Sequence, residues 1–277
     1  MTTPASTELL RLAQDIALEA GELALTRRAE GVRVAASKSS PEDVVTDADR
    51  ETEALIRRRL AEARPHDGFY GEESNATGGT SGLTWVVDPI DGTVNYLYGI
   101  PAWCVSIAVV EGEPDPATWT TLAGAVRNPV ADELFTASAG RGAFLGQRQL
   151  QVPAEVPLSL SLLGTGFSYQ AARRERQADV VRGLIGQVRD IRRIGSAALD
   201  LCSVAAGRLN LYYERGLNPW DQAAGSLIAR EAGAKVGAFG DGREGSDLLI
   251  AGAPGLYEVF EPILFELFGR FMDERVQ

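Results

Sequence analysis

WVVDPIDGTVNYLYGIPAWCVSIAVV, residues Trp85–Val110, begins as a strand-like apolar run that stops at Asp88, and a second carboxylate, Asp91, follows three positions later. Pro89 fixes φ and removes a backbone donor, which stiffens the turn between them. Gly92 permits the backbone angle or close approach that a tight turn needs. Thr93 then offers a hydroxyl and an amide where a helical turn can begin, an arrangement suited to an anion. A carboxylate at the carboxyl end of a strand faces the crevice where α/β proteins place ligands. No Lys or Arg stands close by in the sequence to neutralise the two acids. Held together they repel, burial raises the cost, and a hard divalent cation between them relieves it with the oxygen ligands it prefers. Asp88 and Asp91 are therefore candidate metal ligands. The plain alternative is an exposed loop in which Asp serves as a cap, since motifs this short match by chance.

Working outward, AWCVSIAVVEG, TLAGAVRNP, DELFTASA and GAFLGQRQLQV are short apolar runs divided by Gly, Pro and Asn, which predicts a largely antiparallel sheet of hairpins. EGEPDPATWT reads as a polar excursion between two strands. Upstream, Leu9, Leu12, Ala13, Ile16, Ala20 and Leu23 recur at helical spacing, with Ser6 or Thr7 as the cap. GVRVAASKSSPEDVVTDAD reads as a loop or short hairpin, and DADRETEALIRRRLAEA as a helix with acids first and arginines last. GFYGEESNATGGTSG reads as a Gly- and Ser-rich loop. From about Leu158 strands and helices alternate, an α/β pattern. The division expected is an N-terminal α+β half over 1–150 and a C-terminal α/β half over 151–277.

The chain has 277 residues, 45% hydrophobic and 23% charged, with a formal charge of -11. That is the composition of a globular protein, and the acidic balance disfavours nucleic acid or an anionic membrane as partner. Cys104 and Cys202 are too few for a disulfide scaffold and sit among apolar neighbours, which predicts two buried thiols. No signal peptide or spanning segment is evident, so the cytoplasm is the expected compartment.

Three further acid clusters accompany Asp88 and Asp91. Glu72 and Glu73 follow Gly71 near a candidate strand end. Asp43, Thr46, Asp47 and Asp49 lie beside Lys38, with helix capping by Thr46 or Asp47 as the plain reading. Asp221 follows Trp220 at a helix start, where an N-cap beside a buried Trp is the plain reading. The only histidine, His66, sits in the loop ARPHDG. No side chain stands out as a phosphoryl-accepting nucleophile.

Together GEES, WVVDPIDGTVNY and WDQAAGSLIAREAGAKV, supported by KSSPEDVVTDADR and IRRIGSAALDLCSVAAGRLNLYYE, resemble the inositol monophosphatase family, in the metal-dependent, lithium-sensitive phosphatase superfamily that includes fructose-1,6-bisphosphatase. The resemblance runs from the first helix almost to the C-terminus. It implies a layered α-β-α-β-α sandwich and Mg²⁺, two or three ions per site, held by Glu72, Asp88, Asp91, Asp221 and the Ile90 carbonyl. It implies that Asp49 and Thr93 orient and help deprotonate the attacking water, with Glu72 also part of the catalytic set, and that Gly92 and Thr93 contact phosphate through their amides. Gly195, Ser196, Ala197 and Glu214 fall where the family contacts polyol hydroxyls, and Asp91 and Asp221 also border the substrate. The implied reaction is hydrolysis of inositol monophosphate by direct attack of water, in a homodimer inhibited by Li⁺. A phosphatase of histidinol phosphate or of a sugar phosphate or bisphosphate, or a non-catalytic regulatory protein, remains as an alternative. Lys38 either closes over the site or is a solvated lysine.

Overall fold

The computed structural model describes residues 3–37, 44–153, 156–240, 242–245 and 247–271. Lys38 and Asp43 lie outside them. The chain runs α1 (Thr3–Glu30), β1 (Val34–Ser37), β2 (Val44–Thr46), α2 (Asp47–Ala63), β3 (Gly68–Gly71), β4 (Leu83–Asp91), α3 (Thr93–Tyr98), β5 (Cys104–Glu111) and β6 (Thr120–Asn128). It continues through β7 (Glu133–Ser138), β8 (Ala143–Leu145), β9 (Arg148–Leu150), a 3₁₀ turn at Leu158–Leu160, β10 (Leu162–Thr165), α4 (Ala171–Leu184) and β11 (Asp190–Arg192). Then come α5 (Ala197–Ala205), β12 (Leu211–Glu214), α6 (Pro219–Glu231), β13 (Lys235–Gly237), β14 (Leu249–Gly252) and α7 (Pro254–Phe271).

Strands β3 to β9 form a seven-stranded sheet in sequence order, antiparallel throughout except for the parallel pair β3 and β4. The predicted hairpins are these strands. GFYG is a strand as well as the start of a loop, a difference from the sequence reading. Its two glycines masked the alternation, and its partner β4 supplies the pairing that its own composition does not. The second sheet has the order β11-β10-β12-β14-β13, parallel on one side of β12 and antiparallel on the other. Short β11 and β13 carry no periodic signal that the sequence alone could reveal.

Period-two alternation in β4 and β5 decides the layers. Trp85, Val87, Val105, Ile107 and Val109 face α1 and α2 through Ala13, Ile16, Ala20 and Ile56. Val86, Cys104, Ala108 and Val110 face the other way, onto α5 and α6. Those two helices have apolar residues all round. Leu201, Val204 and Ala229 meet the inner face of the second sheet at Tyr212, Leu249 and Ala251. The outer face of that sheet packs on α4 and α7 through Leu163, Tyr213, Val180, Leu184 and Phe260. The order is therefore α1α2, seven-stranded sheet, α5α6, five-stranded sheet, α4α7: the α-β-α-β-α sandwich.

Small residues set the spacing of the middle layer. A Cβ on Gly225 of α6 would stand 2.8 Å from the Leu201 side chain of α5, and one on Gly124 of β6 would stand 3.1 Å from Ala224. The helix starts differ in detail from the sequence reading. Helix α1 begins at Thr3, ahead of Ser6 and Thr7. Asn218, not Asp221, caps α6, and Trp220 is half-buried. Asp221 is instead the acid three places in, whose side chain reaches back to the cap's N–H, a reciprocal arrangement that satisfies two helix-end donors.

Candidate active site

Strand β4 does not stop at Asp88. It passes through Pro89 to Asp91, with Asp88 opposite Ser106 and Asp91 opposite Cys104, so three residues on β4 advance against two on β5. This is a bulge, a position where Pro is tolerated because no ladder bond is lost. In a regular strand, residues three apart point to opposite faces. The extra residue brings both carboxylates to one side, where Asp221 of α6 joins them. Ligand oxygens of Asp88, Asp91 and Asp221 lie within 4.8 Å of one another.

Each acid is fixed by at least one hydrogen bond. The Ile90 amide donates to Asp88 Oδ1 at 3.0 Å. Asp91 Oδ2 accepts from Ser196 Oγ at 2.6 Å and from the Ala198 amide at 2.8 Å, both at the start of α5. The Asn218 amide donates to Asp221 Oδ2 at 2.7 Å. Glu72 follows β3, where Gly71 pairs with Val87 and the Glu72 amide donates to the Val87 carbonyl at 3.2 Å. A Cβ at Gly71 would collide with the buried Glu53 carboxylate, which accepts from the Glu73 amide at 2.8 Å. That loop delivers Glu72 to the cavity that Asp88, Asp91 and Asp221 also line.

Burial pushes the Asp88 carboxyl well above the usual range, and the charges of Glu72, Asp91 and Asp221 push it further. Asp221 is raised by burial and then by Glu72 and Asp91, while Asp91 is raised by burial against the pull of Ser196 and Ala198. No Lys or Arg pairs with any of the three among the described residues. An all-oxygen donor set of this kind, with its charge uncompensated, fits a hard divalent cation.

Behind the acids Thr93 and Asp49 form a hydrogen-bonded pair. Thr93 Oγ1 stands 3.2 Å from Asp49 Oδ1 and 3.1 Å from the Ile90 carbonyl. Asp49 itself is fully buried at the start of α2. Its Oδ2 accepts from the Thr46 amide at 2.8 Å and from the Thr46 hydroxyl, while Thr46 caps the helix in return. Burial raises the Asp49 carboxyl to about 6 in spite of those bonds.

One cavity of about 500 Å³ gathers Glu72, Asp88, Ile90, Asp91, Gly92, Thr93, Gly195, Ser196, Ala197, Glu214 and Asp221. Asp49 stands behind Thr93 rather than on its wall. Gly92 has φ +97°, and a Cβ there would meet the Ala102 and Gly195 carbonyls at 3.0 and 3.1 Å, so the close approach is real. Asn95 of α3 donates to the carbonyls of Ala102 and Ile194, which ties α3 to the segment before α5. Ser196 points its hydroxyl at Asp91 and is buried. Glu214 receives the Tyr212 hydroxyl at 2.6 Å, and burial raises its carboxyl to about 7. A Cβ at Gly166 would collide with that carboxylate.

The remaining sequence candidates lie elsewhere. His66 is exposed in the loop between α2 and β3. Cys104 and Cys202 are free, buried thiols, raised by burial. Residues 112–119 form a polar loop between β5 and β6 anchored by Asp115, with Trp119 turned into the core. Sequence reasoning passed over Arg173, Arg193 and Arg215, which line the same cavity. A lone arginine in a helix or loop carries no signal until the fold places three together.

No described helix is long and apolar enough to cross a membrane. The family model "Inositol monophosphatase family" matches residues 5–260. Among similar proteins, an inositol-1-monophosphatase SuhB of Mycobacterium tuberculosis is 45% identical over 267 residues, covering 90% of each chain. A Nus factor SuhB of Pseudomonas aeruginosa is 40% identical over 239 residues, covering 83% of this chain and 85% of that one. The crystal structure of the extragenic suppressor protein suhB from Bartonella henselae superposes with a TM-score of 0.85 at 36% identity, covering 93% of this chain and 98% of that one.

Proposed function

Because the chain belongs to the inositol monophosphatase family, we propose that it hydrolyses inositol monophosphate to inositol and phosphate with Mg²⁺ as cofactor. The observation that carries this reading is the convergence of Asp88, Asp91 and Asp221, with oxygens within 4.8 Å and no ion pair to Lys or Arg among the described residues. Glu72, Asp88, Asp91, Asp221 and the Ile90 carbonyl would hold two or three ions. Bound there, the cations would neutralise phosphate charge, acidify water and stabilise the departing alkoxide.

The protein's own groups do the rest. Asp49 accepts a hydrogen bond from Thr93 Oγ1, which leaves the threonine oxygen lone pairs to receive the hydrogen of an attacking water. Positioning and proton acceptance by such a pair fit general-base work, since a carboxyl near 6 is ionised at neutral pH yet basic enough to share a proton. The amides of Gly92 and Thr93 would hold phosphate oxygens, and Glu214, Gly195, Ser196 and Ala197 the polyol. No phosphoenzyme is needed, because water attacks phosphorus directly.

The test is phosphate release from inositol 1-phosphate with Mg²⁺ by the wild type and Asp91→Asn. The variant keeps an oxygen for the Ala198 amide but lacks the charge, and its turnover should fall more than about a hundredfold. Unchanged release would overturn the metal reading. Histidinol phosphate and fructose 1,6-bisphosphate run alongside decide the leaving group. A regulatory role is the second reading, favoured by the name of the Pseudomonas aeruginosa relative. A wild type with no turnover on any of the three esters would favour it.

A further inference from the structure

Helix α2, which carries Asp49 at its start, buries Ala48, Asp49, Thr52, Glu53, Ile56 and Leu60. Asp49, Glu53 and Arg57 follow one another at intervals of four, which stacks them along one side of a helix. At 1.5 Å per residue, Glu53 and Arg57 stand about 6 and about 12 Å down the axis from Asp49. Each of the three grips a segment outside α2. Asp49 Oδ1 accepts from Thr93 Oγ1 at 3.2 Å. Glu53 Oε2 accepts from the Glu73 amide at 2.8 Å. Arg57 Nη1 donates to Ser74 Oγ at 2.8 Å and to the Asn75 carbonyl at 3.5 Å. Its guanidinium lies over the Phe69 ring, 5.1 Å from the centroid.

The segment that Glu53 and Arg57 grip is the one that carries Glu72. Strand β3 ends at Gly71, and the Glu72 amide makes one last bond to the Val87 carbonyl of β4. The chain next meets the sheet at Thr77, bridged to Phe69. Between those two ties, Glu73, Ser74 and Asn75 are held by α2. Glu53 is buried and forms no ion pair with Lys or Arg among the described residues. A carboxyl taken out of water costs free energy that a Leu or Met filling the same space would not. What Glu53 adds to packing is an acceptor at a fixed height on the helix that bears Asp49. Gly71 leaves room for it, since a Cβ there would collide with the Glu53 carboxylate.

We propose that Glu53 and Arg57 are positioning residues for Glu72, and that α2 thereby holds the metal-binding loop in register with the Thr93–Asp49 pair. Both act through the loop and not on the substrate. The proposal rests on the metal reading above and assigns part of that site's geometry to a helix face behind it. Releasing the clamp leaves Asp88, Asp91 and Asp221 on their own supports at β4 and α6. The defect expected is therefore in cation affinity and not in binding of the ester.

Three variants test it. Glu53→Met removes the acceptor at similar length, Glu53→Gln keeps an oxygen for the Glu73 amide, and Ser74→Ala removes the Arg57 contact without touching α2. Calorimetric Mg²⁺ titration and the Mg²⁺ dependence of inositol 1-phosphate hydrolysis are read for each. Glu53→Met should weaken Mg²⁺ about tenfold or more, the usual effect of losing a group that orients a ligand. Ser74→Ala should weaken it about fivefold and Glu53→Gln less than about twofold. KM for inositol 1-phosphate at saturating Mg²⁺ should stay within about twofold of wild type in all three, because the clamp does not reach the ester. In metal-free protein, hydrogen exchange at the Glu73 amide should quicken in Glu53→Met and keep its wild-type rate in Glu53→Gln. A methionine variant that binds Mg²⁺ as wild type does, or a glutamine variant as weak as the methionine one, overturns the positioning role and leaves the phosphatase reading intact. Should Glu53→Met fail to fold, Ser74→Ala decides, and wild-type affinity there overturns the clamp. A wild type that neither binds Mg²⁺ nor releases phosphate removes the metal reading and the clamp with it.

Discussion

Asp49 is a single carboxyl asked to satisfy two demands of opposite sign. Burial raises it from the usual range near 4 to about 6. Between those values the folded chain holds a proton that the unfolded chain has released. The contribution of Asp49 to stability is therefore complete below about 4 and is lost as pH rises through about 6, a change of at most about 3 kcal/mol. In the proposed reaction activity runs the other way, because a relay through Thr93 would require the ionised form. We expect kcat/KM for inositol 1-phosphate to fall as pH drops through about 6. Asp49→Asn should abolish most turnover and also flatten the dependence of metal-free stability on pH between about 4 and 6. Initial rates and chemical denaturation across pH 4.5 to 8 check both halves. At this scale the sequence was informative where function and local structure coincide. Thr46, Asp49 and Asp221 all sit at helix starts, where composition marks them. The grouping of Arg173, Arg193 and Arg215 on one cavity and the Ser196 bond to Asp91 were hidden, because the arginines come from three separate segments and the bonded pair stands 105 positions apart in the chain.

Elements place these residues by a few backbone devices. The bulge at Asp88–Asp91 is the main one, and its sign in the sequence, an acid on each side of Pro-Ile, reads as a turn. A turn and a bulge share the need for Pro and tolerate the same residues, so only the pairing with β5 separates them. Hairpins β4 to β9 were legible because Gly, Pro and Asn divide their apolar runs into strands and turns. Strands β11 and β13, three residues each, were not. The close contact of α5 with α6 leads to a prediction of its own. Gly225→Ala places a methyl 2.8 Å from the Leu201 side chain and 3.3 Å from the Ala198 carbonyl. It should lower stability by about 1–3 kcal/mol, the usual cost of overpacking, in denaturant titrations at fixed Mg²⁺. A stability equal to wild type would mean that the two helices are free to move apart.

The whole molecule stores charge repulsion in its middle. Asp88, Asp91 and Asp221 are each raised by burial, and all three belong to one cluster. As with Asp49, the sign is clear: each contribution is intact at low pH and is lost as pH climbs through the raised value. Mg²⁺ would supply what the protons no longer do. Thermal melts should therefore show a Tm increase on adding Mg²⁺ that is larger at pH 7.5 than at pH 5, and chelator should reverse it. A Tm indifferent to Mg²⁺ at pH 7.5 would speak against cation binding by these acids. Fold class was legible at this scale because the change from hairpins to alternating strands and helices is a property of long segments, robust to errors at their ends.

The middle layer has one more consequence. Helices α5 and α6 are wetted on neither side: one sheet covers each flank. A gene cut between the sheets would leave the first fragment with a bare greasy plane and the second with naked helices. Neither piece should remain dispersed when made alone, and co-expression should rescue both only if they meet before they clump.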